Sequence, residues 1–268
     1  MSQIAKAELF HKLHQGPDVL VLANVWDAAS AAVVADAGAT ALATSSAAVA
    51  WAHGYADGDV LAVETTCAVV AGIVRVVDLP VSVDFEGGFT DDLGLLVDNI
   101  TRVIDAGAVG INFEDGVRDP DLHARKIEAA RTAADRTRVP LFINARTDVY
   151  LRQLATGDAA EAEAIRRGRL YMAAGASGVF VPGAAEAELI RRLAAAIPGP
   201  LNVIAWPGVP DAAGLQALGV RRLSAGTATF RSAFAALARA AAGFLATGDV
   251  AALMSTGDGA PNLQKRFS

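Results

Sequence analysis

The sequence predicts a closed (β/α)8 barrel, a TIM barrel, followed by one extra C-terminal helix. Three observations lead there. Short β-branched runs alternate with alanine-rich segments of helical period along the whole chain of 268 residues, the pattern of βα units on a parallel sheet. Eight strand candidates can be counted, the number a barrel needs. Four helical segments end in a small residue plus glycine directly before a strand, at Gly38, Gly107, Gly175 and Gly219, as left-handed C-cap glycines do. These glycines precede strands two, four, six and eight, so no linker is left for a second domain, and residues 1–268 are expected to form one.

The first strand is VLVLANV (19–25), followed by WDAAS and the helical AASAAVVADAG. A doubly wound open sheet is the main rival, but WDAAS is not the glycine-rich loop that a dinucleotide site puts there. TALATSS (40–46) is the second strand and VETTCAVVAGIVRVV a helix that buries Cys67 as an inert thiol. PVSVDFE (80–86), VGINFED (109–115), PLFINART (140–147), GVFVPG (178–183), LNVIAW (201–206) and RRLSAG (221–226) complete the set. Between them lie LGLLVDNITRVIDAG and DAAEAEAIRRGRLYMAAG, with apolar residues near helical spacing. Residues 228–268 form a helical extension. The segment RSAFAALARAAAGFLATG is more helix than closure requires, so it is expected to pack on another subunit.

Composition excludes several classes of function. The hydrophobic fraction of 53% comes mostly from alanine, and no run approaches the roughly 18 apolar residues of a spanning helix. A formal charge of −6 and a pI near 5.2 leave no basic face for nucleic acid. The first residues, MSQIAKAELFHKLHQG, lack the apolar core of a signal peptide, which points to the cytoplasm. A single cysteine excludes an intramolecular disulfide and a zinc site built on several thiolates.

The stretch VDFEGGF carries the chemistry. In a strand, residues two apart share a face, so Ser82, Asp84 and Glu86 point into the barrel while Val81, Val83 and Phe85 face the helices. Asn112 and Glu114 repeat this split one strand on, and Asn144, Arg146 and Asp148 repeat it again. Three neighbouring strands thus turn polar at the C-terminal mouth, where barrels place their active sites. Asp84, Glu86 and Glu114 are expected to converge, and their repulsion calls for protons or a cation. With only oxygen donors present, Mg2+ is the natural ion and Mn2+ an alternative. Arg146 then holds a substrate carboxylate, unless it simply pairs with Asp84.

Two loops support the mouth. Ser45, Ser46 and Asp57 lie in SSAAVAWAHGYADGD, suited to receiving a carboxylate or oxyanion, although the serines alternatively just cap the next element. Trp26 is placed as a wall of the pocket, Asp27 as a helix cap, Asn202 as a further substrate contact, and His53 as either a loop residue or a base.

With NVWDAASA, ATSSAAVAWAHGYADGD, VDFEGGF, INFEDG, NARTD and PLNVIAWPGVPDAAGLQALGVRRLSAG, the chain resembles the isocitrate lyase and phosphoenolpyruvate mutase superfamily. It is most similar to the short phosphonomutase-like, or carboxyvinyl-carboxyphosphonate phosphorylmutase-like, members. The resemblance covers nearly the whole chain. It implies a last helix swapped between subunits of a homodimer or homotetramer, and Mg2+ near Asp84, Glu86 and Glu114, partly through water. It further implies a 2-oxo acid whose carboxylate meets Ser45, Ser46 and Arg146, with Asp57 close to the reacting centre and a C–C or P–C bond broken or made beside the oxo group. One departure stands out. The lyases carry a KxCGH-type loop soon after the strand that ends here in NFEDG, whereas this sequence has GVRDPDLHARKIEAARTAA. It offers no cysteine there, only Arg118, Asp119, His123 and Lys126; His123 either replaces the proton donor or sits on a helix surface.

Three functions follow as expectations. The first is a Mg2+-dependent lyase or decarboxylase acting on a small 2-oxo or 2-hydroxy di- or tricarboxylate, such as oxaloacetate or a methylisocitrate-like acid, with Asp57, Glu114 and Arg146 as its catalytic groups. The second is P–C bond chemistry on a phosphonopyruvate-type substrate. The third is a barrel that binds a 2-oxo acid without turning it over.

Overall fold

A computed structural model describes all 268 residues. The order is α1 (Gln3–Leu13), β1 (Leu20–Leu22), β2 (Asn24–Val25), α2 (Ala28–Asp36), β3 (Leu42–Thr44), α3 (Ser46–Ala52), α4 (Val63–Val76), β4 (Val81–Asp84), α5 (Leu93–Asp105), β5 (Gly110–Glu114), α6 (Pro120–Thr137) and β6 (Phe142–Arg146). There follow α7 (Gly157–Ala173), β7 (Gly178–Phe180), α8 (Ala187–Ala196), β8 (Leu201–Ile204), α9 (Ala212–Ala217), β9 (Arg222–Ser224), α10 (Ala228–Thr247), α11 (Val250–Thr256) and α12 (Leu263–Phe267).

All neighbouring strands run parallel in the order β1-β9-β8-β7-β6-β5-β4-β3-β2. The two ends of that order are halves of one stretch, split at Ala23: Leu20–Leu22 pairs with β9, and Asn24–Val25 pairs with β3. The expected single first strand therefore appears as two short pieces, and through them the sheet closes into the predicted α/β barrel. Gly38, Gly107, Gly175 and Gly219 all stand just past a helix with φ between 90° and 105°, a conformation that favours glycine.

The periodicity of the strands becomes the layering of the core. Val83, Phe85, Ile111, Phe113, Leu141 and Ile143 are all buried, packed between the sheet and the amphipathic faces of α5 and α6, while Val81 is buried in a second cluster with Ala31 of α2 and Ile73 of α4. The N-terminal end of the barrel is stoppered by α1, which composition alone does not reveal. Phe10 meets Phe142 edge-on at 5.4 Å, and His14 stacks on the same ring at 3.9 Å. Gly110 permits this approach, because a Cβ there would sit 2.8 Å from the Phe10 ring. At the other end, α10 buries only Phe230 and leaves Phe234, Leu237, Phe244 and Leu245 exposed. No helix is long and apolar enough to cross a membrane.

Candidate active site

At the C-terminal mouth lies a cavity of about 170 Å3 whose lining includes Ser45, Ser46, Asp57, Asp84, Asn112 and Arg146. The chain builds it from strand ends. Ser45 caps α3, its hydroxyl accepting from the Ala48 N–H at 3.4 Å. Ser46, at the first helical position, is thereby turned toward β4 and donates to Asp84 Oδ2 through both its N–H (3.0 Å) and its Oγ (2.9 Å). Asp84 Oδ1 is left without a protein partner. Ser45 therefore caps α3 as one alternative expected, and both serines line the cavity.

Arg146 ends β6. Its Nε and Nη2 donate to Asp148 at 2.6 and 3.1 Å, and its Nη1 lies 2.6 Å from Glu114. The alternative of an Asp84–Arg146 ion pair is not what forms. Burial works against the guanidinium charge, but Glu114 and Asp148 more than offset it and raise its pKa. Asp148 is wholly buried, and its N–H donates to Asp115, which in turn accepts from Tyr171 OH at 2.6 Å and Arg167 Nη1 at 2.8 Å. Arg146 is thus anchored through two carboxylates to α7.

The carboxylates of Asp84, Glu86 and Glu114, expected to converge, each turn to a partner of their own. Glu86, at φ 48°, turns its carboxylate to the Asp59 N–H, while Glu114 turns to Arg146. No group of three or more His, Cys, Asp or Glu side chains is set to hold an ion directly. Each carboxylate has taken its own partner, because an unpaired buried charge is costly. The crowding is still felt. Burial, then Asp59, Asp57 and Asp84, push Glu86 up to about 7 against the pull of the Asp59 N–H. Burial pushes Glu114 up to about 8 in spite of Arg146. Asp57, facing the cavity, is also raised, by burial and then by Asp84.

Other candidates fall outside the cavity. Trp26 packs on Phe230 at 5.0 Å and on Phe234 at 6.4 Å, seating α10 instead of walling the pocket. Asp27 caps α2 in a capping box with Ser30. Asn202 lies beneath the cavity, its Oδ1 accepting from Ser224 Oγ at 3.3 Å and its Nδ2 without a partner. His53 ends α3 with Nδ1 against the Val49 carbonyl. Neither reading of His123 holds: it is wholly buried between Phe113 and Tyr171, both ring nitrogens lack partners, and burial pushes it down to about 3, so it is neutral. Its neighbours in the 118–126 segment are structural too. Asp119 caps α6, and buried Lys126 holds Asp91 at 2.6 Å.

Arg118 joins a latch that the sequence does not disclose. It donates to Asp59 at 2.9 Å and to Asp91 at 2.7 Å, while Asp59 Oδ1 accepts from the N–H groups of Gly87 and Phe89, each at 3.1 Å. The loop that carries Asp57 is therefore pinned to the turn after β4. Asn24 and Ser224 also line the cavity; a lone asparagine inside the apolar VLANV is the signal that would have pointed to the first.

A family model described as phosphoenolpyruvate phosphomutase matches residues 10–245. The chain belongs to the phosphoenolpyruvate mutase family. Among family relatives, 2-methylisocitrate lyase of Bacillus subtilis is 29% identical over 214 residues, covering 75% of this chain and 67% of that one. Oxaloacetate decarboxylase of Pseudomonas fluorescens is 26% identical over 244 residues, covering 88% and 83%. The crystal structure of a candidate phosphonomutase from Burkholderia cenocepacia superposes with a TM-score of 0.84 at 44% identity, covering 87% of this chain and 98% of that one. Family members so named act on C–C or P–C bonds, and this chain is an enzyme of that superfamily.

Proposed function

We propose that the protein is a Mg2+-dependent lyase or decarboxylase that breaks a C–C bond of a small 2-oxo or 2-hydroxy carboxylate, with oxaloacetate as the leading substrate. The observation that carries this reading is the joint presence of Asp84 and Arg146 in one small cavity. Arg146 would bind the substrate carboxylate, with Ser45 and Ser46 on the opposite wall. The donor set fits a hard cation: Asp84 lines the cavity, and Glu86 and Glu114, at neighbouring strand ends, would act through water. Such an ion offsets negative charge developing on the oxo oxygen. No histidine or cysteine lines the cavity, so the reaction that needs least proton transfer, decarboxylation, is favoured. Asp57, which lines the cavity, would hand on a proton.

P–C bond chemistry is the second reading, favoured by the likeness to the Burkholderia protein, but Arg146 is the one cation lining the cavity to meet a phosphoryl group. The test is NMR-monitored incubation with oxaloacetate, 2-methylisocitrate, isocitrate and phosphonopyruvate, with Mg2+ and with EDTA. Metal-dependent pyruvate from oxaloacetate, abolished in a folded Asp84→Ala variant, supports the proposal; turnover of phosphonopyruvate alone replaces it with the second reading. We also propose that a second copy covers the exposed apolar side chains of α10; sedimentation as a monomer at micromolar concentration would remove that part.

A further inference from the structure

Arg222 is the largest fully buried side chain of the protein. It lies on β9 inside the barrel, and it has no ionic partner. Its Nε donates to Ser224 Oγ at 3.2 Å and its Nη2 to Asn112 Oδ1 at 3.1 Å, while its Nη1 has no partner at all. Asn112 Oδ1 also accepts from Asn144 at 2.9 Å, and both Asn112 and Ser224 line the cavity above. Below, the guanidinium lies 6.0 Å from the Phe10 ring centre, near His14, which is held neutral by burial and by Arg222 itself. The carboxylate whose field reaches Arg222 is Asp84, at the cavity. Burial pushes the guanidinium down to about 9, so it stays charged at neutral pH.

A buried cation without a counter-ion is expensive, and an apolar side chain of similar volume usually serves a core better. Arg146 cannot neutralise an incoming anion fully, since the buried Asp148 already shares its charge, and Asp57 and Asp84 add negative charge to the same cavity. We propose that Arg222 is a positioning residue that makes the cavity accept a dianion: it holds the floor formed by Asn112 and Ser224, and its unspent charge acts on the bound acid from beneath without touching it. This rests on the reading of the cavity as a 2-oxo acid site, and it adds a charge requirement to that reading.

The test exploits the scaling of electrostatic energy with charge. Oxalate and oxamate have nearly the same shape but carry two charges and one, so removing a distant cation changes the free energy of the first by twice that of the second. Their affinities are measured by calorimetry at saturating Mg2+ for the wild type, Arg222→Met and Arg222→Lys. The expected result for Arg222→Met is a loss on the order of tenfold for oxalate and about threefold for oxamate, with Arg222→Lys restoring most of both. Equal losses for the two ligands mean a packing role only, and no loss removes the inference. Arg222→Gln, which keeps the hydrogen-bonding tip and drops the charge, gives the same comparison if the Met variant does not fold. Failure of the wild type to bind oxalate would instead overturn the assignment of the cavity itself.

Discussion

Asp148 grips Arg146 with both carboxylate oxygens, Oδ1 to Nε at 2.6 Å and Oδ2 to Nη2 at 3.1 Å, although only Arg146 reaches the cavity. A paired fork of this kind fixes the plane of the guanidinium. Replacing Asp148 by Asn keeps the shape and loosens the fork. The expected outcome is a loss of kcat/KM of about 10- to 100-fold, the scale of a misplaced binding group, with circular dichroism unchanged. Steady-state kinetics on the substrate found by NMR decides it.

Ser46 offers Asp84 two donors, of which Ser46→Ala removes one. The retained N–H limits the damage to about 1 kcal/mol, or roughly fivefold in kcat/KM. A loss as large as that of Asp84→Ala would mean that the hydroxyl meets the substrate directly.

The pH dependence of stability has a definite sign. Glu86 and Glu114 are pushed up to about 7 and about 8 in the folded protein, from an unfolded value of about 4.3. The native state thus holds protons that the unfolded chain has released, and this stabilisation is lost as pH rises through 7 and 8. His14 and His123, both pushed down to about 3, lose stability in the opposite direction, as pH falls below about 6.5. Between about pH 6.5 and 8 the carboxylates act alone, and the EDTA-treated protein should lose up to about 2 kcal/mol. Added Mg2+ should flatten that slope; denaturant melts at three pH values with and without the ion check it.

Gly87 underlies the latch. A Cβ there would meet Arg118 Nη1 and come within 2.6 Å of Asp59 Oδ2, so Gly87→Ala should push the two apart and free the loop that carries Asp57. The cost in stability is small, up to about 1 kcal/mol, because the atoms met are the ends of two flexible, partly exposed side chains. Limited proteolysis should show cleavage between residues 54 and 61 well before the wild type is cut there.

The barrel and its working end were legible in the sequence because both are written locally. A glycine after a helix and an acid two residues from another acid need no distant partner to be read. Period two places Glu86 inside the barrel, but it says nothing about the Asp59 N–H, which arrives from a loop 27 positions earlier. Trp26 and His123 were misplaced for the same reason. Whether an aromatic at a strand end turns to the cavity or to α10, and whether a histidine on α6 is exposed or sealed beneath Tyr171, depends on elements far along the chain. Arg222 was read only as part of a strand, since its isolation becomes visible once every neighbour is in place.

The split at Ala23 sets a condition on synthesis. One half of the first strand finds β3 early, but Leu20–Leu22 must wait for Arg222–Ser224. Until those residues have left the ribosome, the nascent sheet keeps an open edge, the kind of surface that recruits other chains. A chain halted by a stop codon before position 222 would therefore fail as an unclosed, sticky sheet, whereas one halted after α10 has every strand it needs to close.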